Sequence, residues 1–281
     1  MEKLNSKKIR IAVLIASFNR CNSTLRCLND LQKSKESNHL LDIFLVDSNS
    51  SDNTVKEVKA LFPYVRIKLV STDTYWNRAM LYAWHFSLLE KVKYHFFLWL
   101  NNDTFLNKNG LKSIMEDYCR VDLKSIIVGT TDFHGKITYG GRKKLSQRVL
   151  APNGKPQKVK YINGNCVLIP KSAVEIIGVL DEKYSHSLGD LDYGLRAIES
   201  GFSLYSSSKI IGICENNNTT WYRNKRIKQR WKILNSPKGV PLNEYFYFNH
   251  RHFGILNALK FIIATFIALL VPSFYQLIKS K

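Results

Sequence analysis

Acidic side chains are scarce in this chain: 22 Asp and Glu stand against 42 Lys and Arg, a formal net charge of +20. So large a positive excess predicts a polyanionic neighbour, whether nucleic acid, an anionic bilayer or phosphorylated small molecules. Cysteine is also sparse. Cys21, Cys27, Cys119, Cys166 and Cys214 are odd in number and show no paired spacing, which argues against a disulfide framework or a paired-cysteine metal site. They read as reduced, mostly buried thiols of a cytoplasmic protein. The first nine residues lack the apolar core of a secretory signal. No long hydrophobic run is present either. Residues 255–278 are largely apolar but are interrupted by Asn257, Lys260 and Pro272, leaving 261–271 as the longest stretch free of charge and proline. A spanning helix needs roughly 20 apolar residues, so this one is marginal.

What is present is a chain of 281 residues, 45% hydrophobic, long enough for one α/β domain with an appendage. Its organising stretch runs from Tyr94 to Thr104. Seven aromatic or aliphatic-rich residues, 94–100, suit a strand buried on both faces, and Asn101, Asn102 and Asp103 follow directly. In open α/β sheets ligands bind beyond the carboxyl ends of the strands, which places these three at the rim of a cleft. A lone carboxylate among amides suits a hard divalent ion shared with a phosphate. The same four residues, Asn-Asn-Asp-Thr, also suit a plain turn with an Asp cap for the next helix.

Strand and helix signals alternate along the first half. Residues 9–17 read as a strand ending in Phe18, Asn19 and Arg20, and a helix follows over 23–33 with Leu25, Leu28 and Leu31 on one stripe. Residues 41–46 form the second strand, and a polar loop from Asp47 to Thr54 caps the next helix through Ser51 or Asp52. A shorter strand spans 65–70, a rim segment containing Asn77 spans 74–78, and a helix spans 79–90. A helix over 109–119 and a strand over 125–130 complete the alternation expected of a doubly wound, mostly parallel sheet. Its rim residues Asn19, Arg20, Asp47 and Asp103 would face one crevice, as a nucleotide or sugar-nucleotide site requires.

The second half is less regular. Residues 131–159 are rich in glycine, proline and basic residues, the pattern of a mobile loop. A strand returns over 161–170, with Gly164 where a backbone must come close to something. Asp190 stands as a helix cap, and Asp192 with Arg196 forms an i,i+4 pair in the favourable order, so this stretch also reads simply as a salt-bridged helix start. Residues 202–205 and 209–213 look like two short edge strands. Between Trp221 and Lys238 basic and aromatic residues interleave without an acid, which fits a membrane interface, a single-stranded nucleic acid groove or a solvated basic helix.

Taken together, residues 9 to about 215 resemble glycosyltransferase family 2, enzymes of the GT-A fold, in the form of its bacterial rhamnosyltransferase-like members. Ala16-Ser-Phe-Asn-Arg20 is similar to the family's Thr-Tyr-Asn-Arg strand end, and Val46 to Thr54 to its Val-Asp-Asp-Gly-Ser loop. Asn101-Asn102-Asp103 resembles the Asp-x-Asp metal motif, and Gly189-Asp-Leu-Asp192 the acidic motif that supplies the catalytic base. The resemblance implies a GT-A catalytic domain over 1–220, with a nucleotide-sugar half at about 9–130 and an acceptor half at about 131–220. Residues 221–281 would form a helical, membrane-associating appendage. It implies that Asp47 bonds the nucleotide base in a pocket lined by Ala16 and Phe18. Asn19, Arg20, Asn77, Asn101 and Asn102 would complete the donor site. Asp103 would hold Mg2+ or Mn2+, and Asp190 would be the general base.

The implied activity is inverting, metal-dependent transfer of a hexosyl or deoxyhexosyl group. The donor is a nucleotide-diphosphate sugar and the acceptor a lipid-linked saccharide of cell-surface polysaccharide synthesis. The enzyme would sit in the cytoplasm on the anionic inner face of the plasma membrane, and nucleic acid would not be a partner. Two departures stand out: Gly189 replaces the usual Glu, and Ile213-Cys-Glu-Asn stands where some relatives carry a His, with Glu215 as a substitute. The contrasting readings are a basic nucleic-acid-binding protein, which leaves the rim carboxylates without a role, and a catalytically silent binding relative.

Overall fold

The computed structural model describes residues 8–216 and 226–273. Trp221, Tyr222, Arg223 and Lys225 of the basic segment, the first seven residues and the tail after Ser273 lie outside the described residues. The chain forms two compact units, Met1–Glu182 with Asp190–Asn216, and Lys183–Gly189 with Asn217–Lys281.

The first unit is built on one sheet with strand order β3-β2-β1-β4-β9-β6-β10-β5. β1 (Ile9–Ser17), β2 (His39–Asp47), β3 (Arg66–Leu69) and β4 (Phe96–Leu100) are all parallel. β9 (Cys166–Pro170) then enters antiparallel between β4 and β6 (Ser125–Phe133), so its first residue, Cys166, lies beside the carboxyl end of β4 at Leu100. That reversal delivers the loop ahead of β9 to the same rim as Asn101 and Asp103.

Continuous apolar strands are explained by burial on both faces. Ile11, Val13 and Ile15 join Ile43, Leu45, Leu98 and the helix residues Leu28 and Leu31 in one core. The alternate residues Ala12, Leu14, Phe44, Val46, Phe97 and Trp99 join Trp84 and Tyr193 in the other. Helices therefore cover both sides, as the period-2 alternation of side chains demands.

The two short edge strands expected near residues 202–213 are instead one strand, β10 (Ser203–Ile213), lying between β6 and β5 (Phe105–Leu106). Register shifts after Ser206 and Ile210 mark bulges. The polar run Ser206-Ser-Ser208 survives in the sheet interior because its hydroxyls are satisfied. Ser206 Oγ pairs with Thr130 Oγ1 at 2.9 Å, and Ser207 Oγ accepts the Thr130 N–H at 2.8 Å. Within the loop-rich segment, β7 (Lys136–Tyr139) and β8 (Gln157–Val159) add short antiparallel pairings to β6 and β10.

The second unit contains the helices Ile227–Leu234, Leu242–Phe253 and Ile255–Leu270. Buried Glu244 accepts both the N–H (3.1 Å) and the hydroxyl (2.7 Å) of Ser185, and Tyr184 packs on Tyr247 and Phe248. Among the described residues no helix is long and apolar enough to cross a membrane.

Candidate active site

At the carboxyl edge of the sheet the ends of β1 and β2 are knitted together. Asn19, in the left-handed region at φ 49°, donates its N–H to Ser50 Oγ, and its side-chain carbonyl accepts the Ser51 N–H at 2.7 Å. Asp47 is fully buried and takes both the N–H and the hydroxyl of Ser50 at 2.7 Å. Its carboxylate thus organises the loop after β2. Asp52 bridges two helix starts, accepting the N–H of Cys21 and the N–H of Thr54 at 3.0 Å each. Burial is the largest single influence and opposes its ionisation, but the hydrogen bonds from Thr54 and Cys21 together outweigh it and hold the Asp52 carboxyl below its ordinary value. Ala16 is half-buried against the core, and Phe18 is 44% exposed at the rim.

Beyond β4 the three motif residues point to different tasks. Asn102 is buried, and its amide donates to Thr24 Oγ1 at 3.0 Å, which ties the strand end to the first helix. Asn101 Oδ1 accepts the Trp76 indole N–H at 2.6 Å, and its backbone N–H bonds the Asn165 carbonyl at 2.9 Å. Asp103 is half-buried, with its side chain 31% accessible and the Arg20 guanidinium on one oxygen. Cys214 Sγ lies 4.0 Å from its other oxygen and accepts the Asn165 side-chain amide at 3.2 Å. Asn77 is buried in its helix (Trp76–Leu88), and its amide donates to the Asp181 carbonyl at 2.8 Å.

The helix Gly189–Glu199 carries Asp190 in its first turn. It is anchored by Tyr193, whose ring sits 5.2 Å from Trp99 and 5.3 Å from Trp84, and by the Asp192–Arg196 pair at 2.8 Å. Arg196 also donates to the Ile177 and Val179 carbonyls at 2.9 Å each. Asp190 Oδ2 accepts the Gly164 N–H and Oδ1 the Leu191 N–H, both at 2.8 Å. Although part of its surface stays open, dense surrounding protein pushes its pKa up. The hydrogen bonds from Gly164 and Leu191 and the charge of Arg142 oppose the rise.

These contacts run from the end of β4 to Asp190 without a break. Trp76 bonds Asn101 at one edge, and a Cβ on Gly164 would lie 2.3 Å from its benzo ring, so only glycine fits under the indole. The close approach expected at Gly164 is therefore to Trp76. Asp47 ends β2, Asp103 follows β4 and Asp190 lies in the first turn of the helix Gly189–Glu199; Trp76 and Gly164 connect the last two, while Asn77 and Asn102 face inward. Trp76, Asn165, Cys214 and Arg142 belong to the same network without any motif to mark them. Their clue was the Asn163-Gly-Asn165 triplet ahead of a strand, since paired amides around glycine mark a crowded polar turn.

The cation implied by the family resemblance would meet one carboxylate here. Among the described residues no three His, Cys, Asp or Glu side chains gather into a cage. Asp103 alone fits a hard ion that takes its remaining oxygens from water and a diphosphate, as Mg2+ commonly does.

The model of the family described as Glycosyl transferase family 2 matches residues 12–182. A crystal structure of S. aureus TarS superposes with a TM-score of 0.54 at 14% identity, covering 87% of this chain and 44% of TarS. At that identity the likeness speaks for the fold, which is of the GT-A type, and this chain spans less than half the length of TarS. No curated protein matches the sequence.

Proposed function

The chain belongs to glycosyl transferase family 2, and from that premise we propose that it moves a sugar from a nucleotide-diphosphate donor to a saccharide hydroxyl with inversion at the anomeric carbon. One observation carries the proposal. Asp190 is a carboxylate of raised pKa fixed by two backbone donors, joined through Gly164, Trp76 and Asn101 to the turn that presents Asp103. Each oxygen of Asp190 accepts one hydrogen bond and keeps a lone pair for an incoming proton. A base of raised pKa retains the proton it takes, and a positioned base of this kind contributes about 10²–10⁴-fold in rate.

In the proposed step the acceptor hydroxyl gives its proton to Asp190 as its oxygen bonds the anomeric carbon. The bond from that carbon to the diphosphate breaks on the opposite face. Arg20 stands beside Asp103 to meet negative charge on the leaving group. Asp103 would hold Mg2+ or Mn2+, which when bound neutralises the departing diphosphate. Ala16 and Phe18 line the proposed base pocket, and the loop organised by Asp47 closes it.

We assign a membrane-surface role to the helix Ile255–Leu270 of the second unit. Leu256, Leu259, Ile263, Phe266 and Leu270 recur at helical spacing and are exposed, from 39% at Phe266 to 69% at Leu256. An apolar stripe on a cationic protein suits the interface of an anionic leaflet, where each nearby Lys or Arg adds about 1 kcal/mol. The acceptor is then a lipid-linked saccharide presented at the inner face of the membrane. Flotation with phosphatidylglycerol vesicles tests this: Leu259→Asp with Ile263→Asp should leave the protein at the bottom of the gradient. Unchanged flotation would remove the helix from the membrane.

For the chemistry, Asp190→Asn should bind donor in calorimetry as the native protein does and lose transfer. Near-normal turnover in that variant would remove Asp190 as the base.

A further inference from the structure

The segment 142–160, which runs from the loop after β7 through β8, is a strongly charged surface of the first unit that the proposed chemistry does not use. Residues 142–160 contain Arg142, Lys143, Lys144, Arg148, Lys155, Lys158 and Lys160, and no acid. All but Arg142 are exposed, and among the described residues none of the seven forms an ion pair. Several cations elsewhere in the unit are paired: Arg10 and Arg66 share Asp42, Lys112 holds Glu36, and Arg196 holds Asp192. Seven like charges within one 19-residue segment repel one another, so their clustering costs free energy until something anionic lies across them.

The roots of this loop define where that anion lies. Arg142 N–H donates to the Tyr161 carbonyl, and the Lys160 and Tyr161 N–H groups donate back to the Arg142 carbonyl, at 2.9–3.0 Å. Gly140 donates its N–H to Asn163 Oδ1 at 2.9 Å, one residue before the Gly164 N–H that holds Asp190. Arg142 also lowers the Asp190 pKa by its charge. Both ends of the basic loop are thus fastened to the turn that positions the proposed base, on the side where the acceptor hydroxyl must arrive. Long loops without regular structure in a packed domain are usually functional.

Building on the glycosyltransferase reading, we propose that the exposed cations of residues 142–160 bind the acceptor as a polyanion: a saccharide chain bearing repeated phosphate or carboxylate groups. Two features favour this partner over others of the same charge. The segment 142–160 contains no aromatic residue, so it offers no platform on which nucleic acid bases stack. Its only exposed large apolar side chain is Leu145, too little to insert into a bilayer.

The test uses the full chain and three probes: labelled inorganic polyphosphate, phosphatidylglycerol vesicles and a single-stranded RNA oligonucleotide. Two variants with equal charge loss are compared, Lys143→Ala/Lys144→Ala/Arg148→Ala in the loop and Lys33→Ala/Lys56→Ala/Lys59→Ala on exposed helix positions of the nucleotide half. The loop variant should bind polyphosphate at least about tenfold more weakly, with a salt slope flattened by roughly 2–3 in log–log form. The control triple should change affinity less than about twofold, since exposed charges more than a Debye length from a bound polyanion are largely screened. Equal weakening in both triples would show that net charge alone governs binding, and would overturn the proposal. So would a loss confined to vesicles or to RNA. Nucleotide-sugar binding, measured in the same preparations, should be unchanged by the loop variant. If no nucleotide sugar binds even the native chain, the glycosyltransferase reading fails, whatever polyphosphate does.

Discussion

At the ends of β1, β2 and β4 three carboxylates already have partners: Asp47 holds Ser50, Asp52 holds two helix starts, and Asp103 holds Arg20. On the β9 side Asp190 has only backbone donors, and the cations of residues 142–160 form no ion pair with described residues. The first side spends its polar groups on holding a shape. The second keeps charge unspent, at a cost in stability, which is how a site that must exchange protons and anions differs from a scaffold.

That contrast breaks most visibly at Asp190. Because burial raises its pKa in the fold, its ionisation favours unfolding: native stability is greatest below the ordinary value of 3.8 and falls as pH rises through the raised value. Asp190→Asn should therefore lose about 10²–10⁴-fold in turnover while its melting temperature at pH 7 stays equal or rises. A lower melting temperature at pH 7 would place Asp190 among the scaffold carboxylates.

Gly164→Ala attacks the link between the two sides. The added methyl meets the Trp76 ring at 2.3 Å, and the indole is held by its hydrogen bond to Asn101, so the turn must move. Overpacking of this kind costs about 1–3 kcal/mol. Because the displaced N–H is the one on Asp190, kcat should fall more than donor affinity, and the acid limb of the pH–rate profile should move upward. Equal loss in kcat and donor affinity would make Trp76 a general packing residue.

Smaller effects belong to the satisfied side. Arg20→Ala should change fold stability by less than about 1 kcal/mol, since the pair is 47% and 31% exposed, yet should weaken donor binding in calorimetry. Asp52→Ala should cost about 1 kcal/mol by removing the acceptor for the first N–H of two helices and leave kcat unaltered. Its folded pKa is depressed, so this contribution is present at neutral pH and disappears as acid protonates it through the lowered value. Denaturant midpoints at pH 7 and below pH 3 check both.

Much of the first unit was legible because its strands are continuous apolar runs ending in polar rims. β1 occupies the expected residues 9–17, and β2 and β4 differ only at their ends. Three consecutive serines, 206–208, concealed β10: the hydroxyls of Ser206 and Ser207 bond across the sheet, but in the sequence the run reads as a break between two strands. At the rim, residue type located polar groups but not their direction. Asn102 and Asn77 turn inward to Thr24 and Asp181, Asp103 turns outward, and sequence spacing alone is the same for both outcomes. Trp76 lies in the polar rim segment 74–78, yet an indole carries no sequence mark of a site role until its N–H is seen on Asn101.

Calorimetric titration of a panel of nucleotide-diphosphate sugars, with and without Mg2+ or Mn2+, into the native chain and Asp103→Ala tests the central claim most directly. At least one donor should bind the native chain in the presence of a divalent ion, and Asp103→Ala should remove the ion's contribution. Donor binding that is indifferent to both the ion and Asp103, or no binding by any member of the panel, would contradict it.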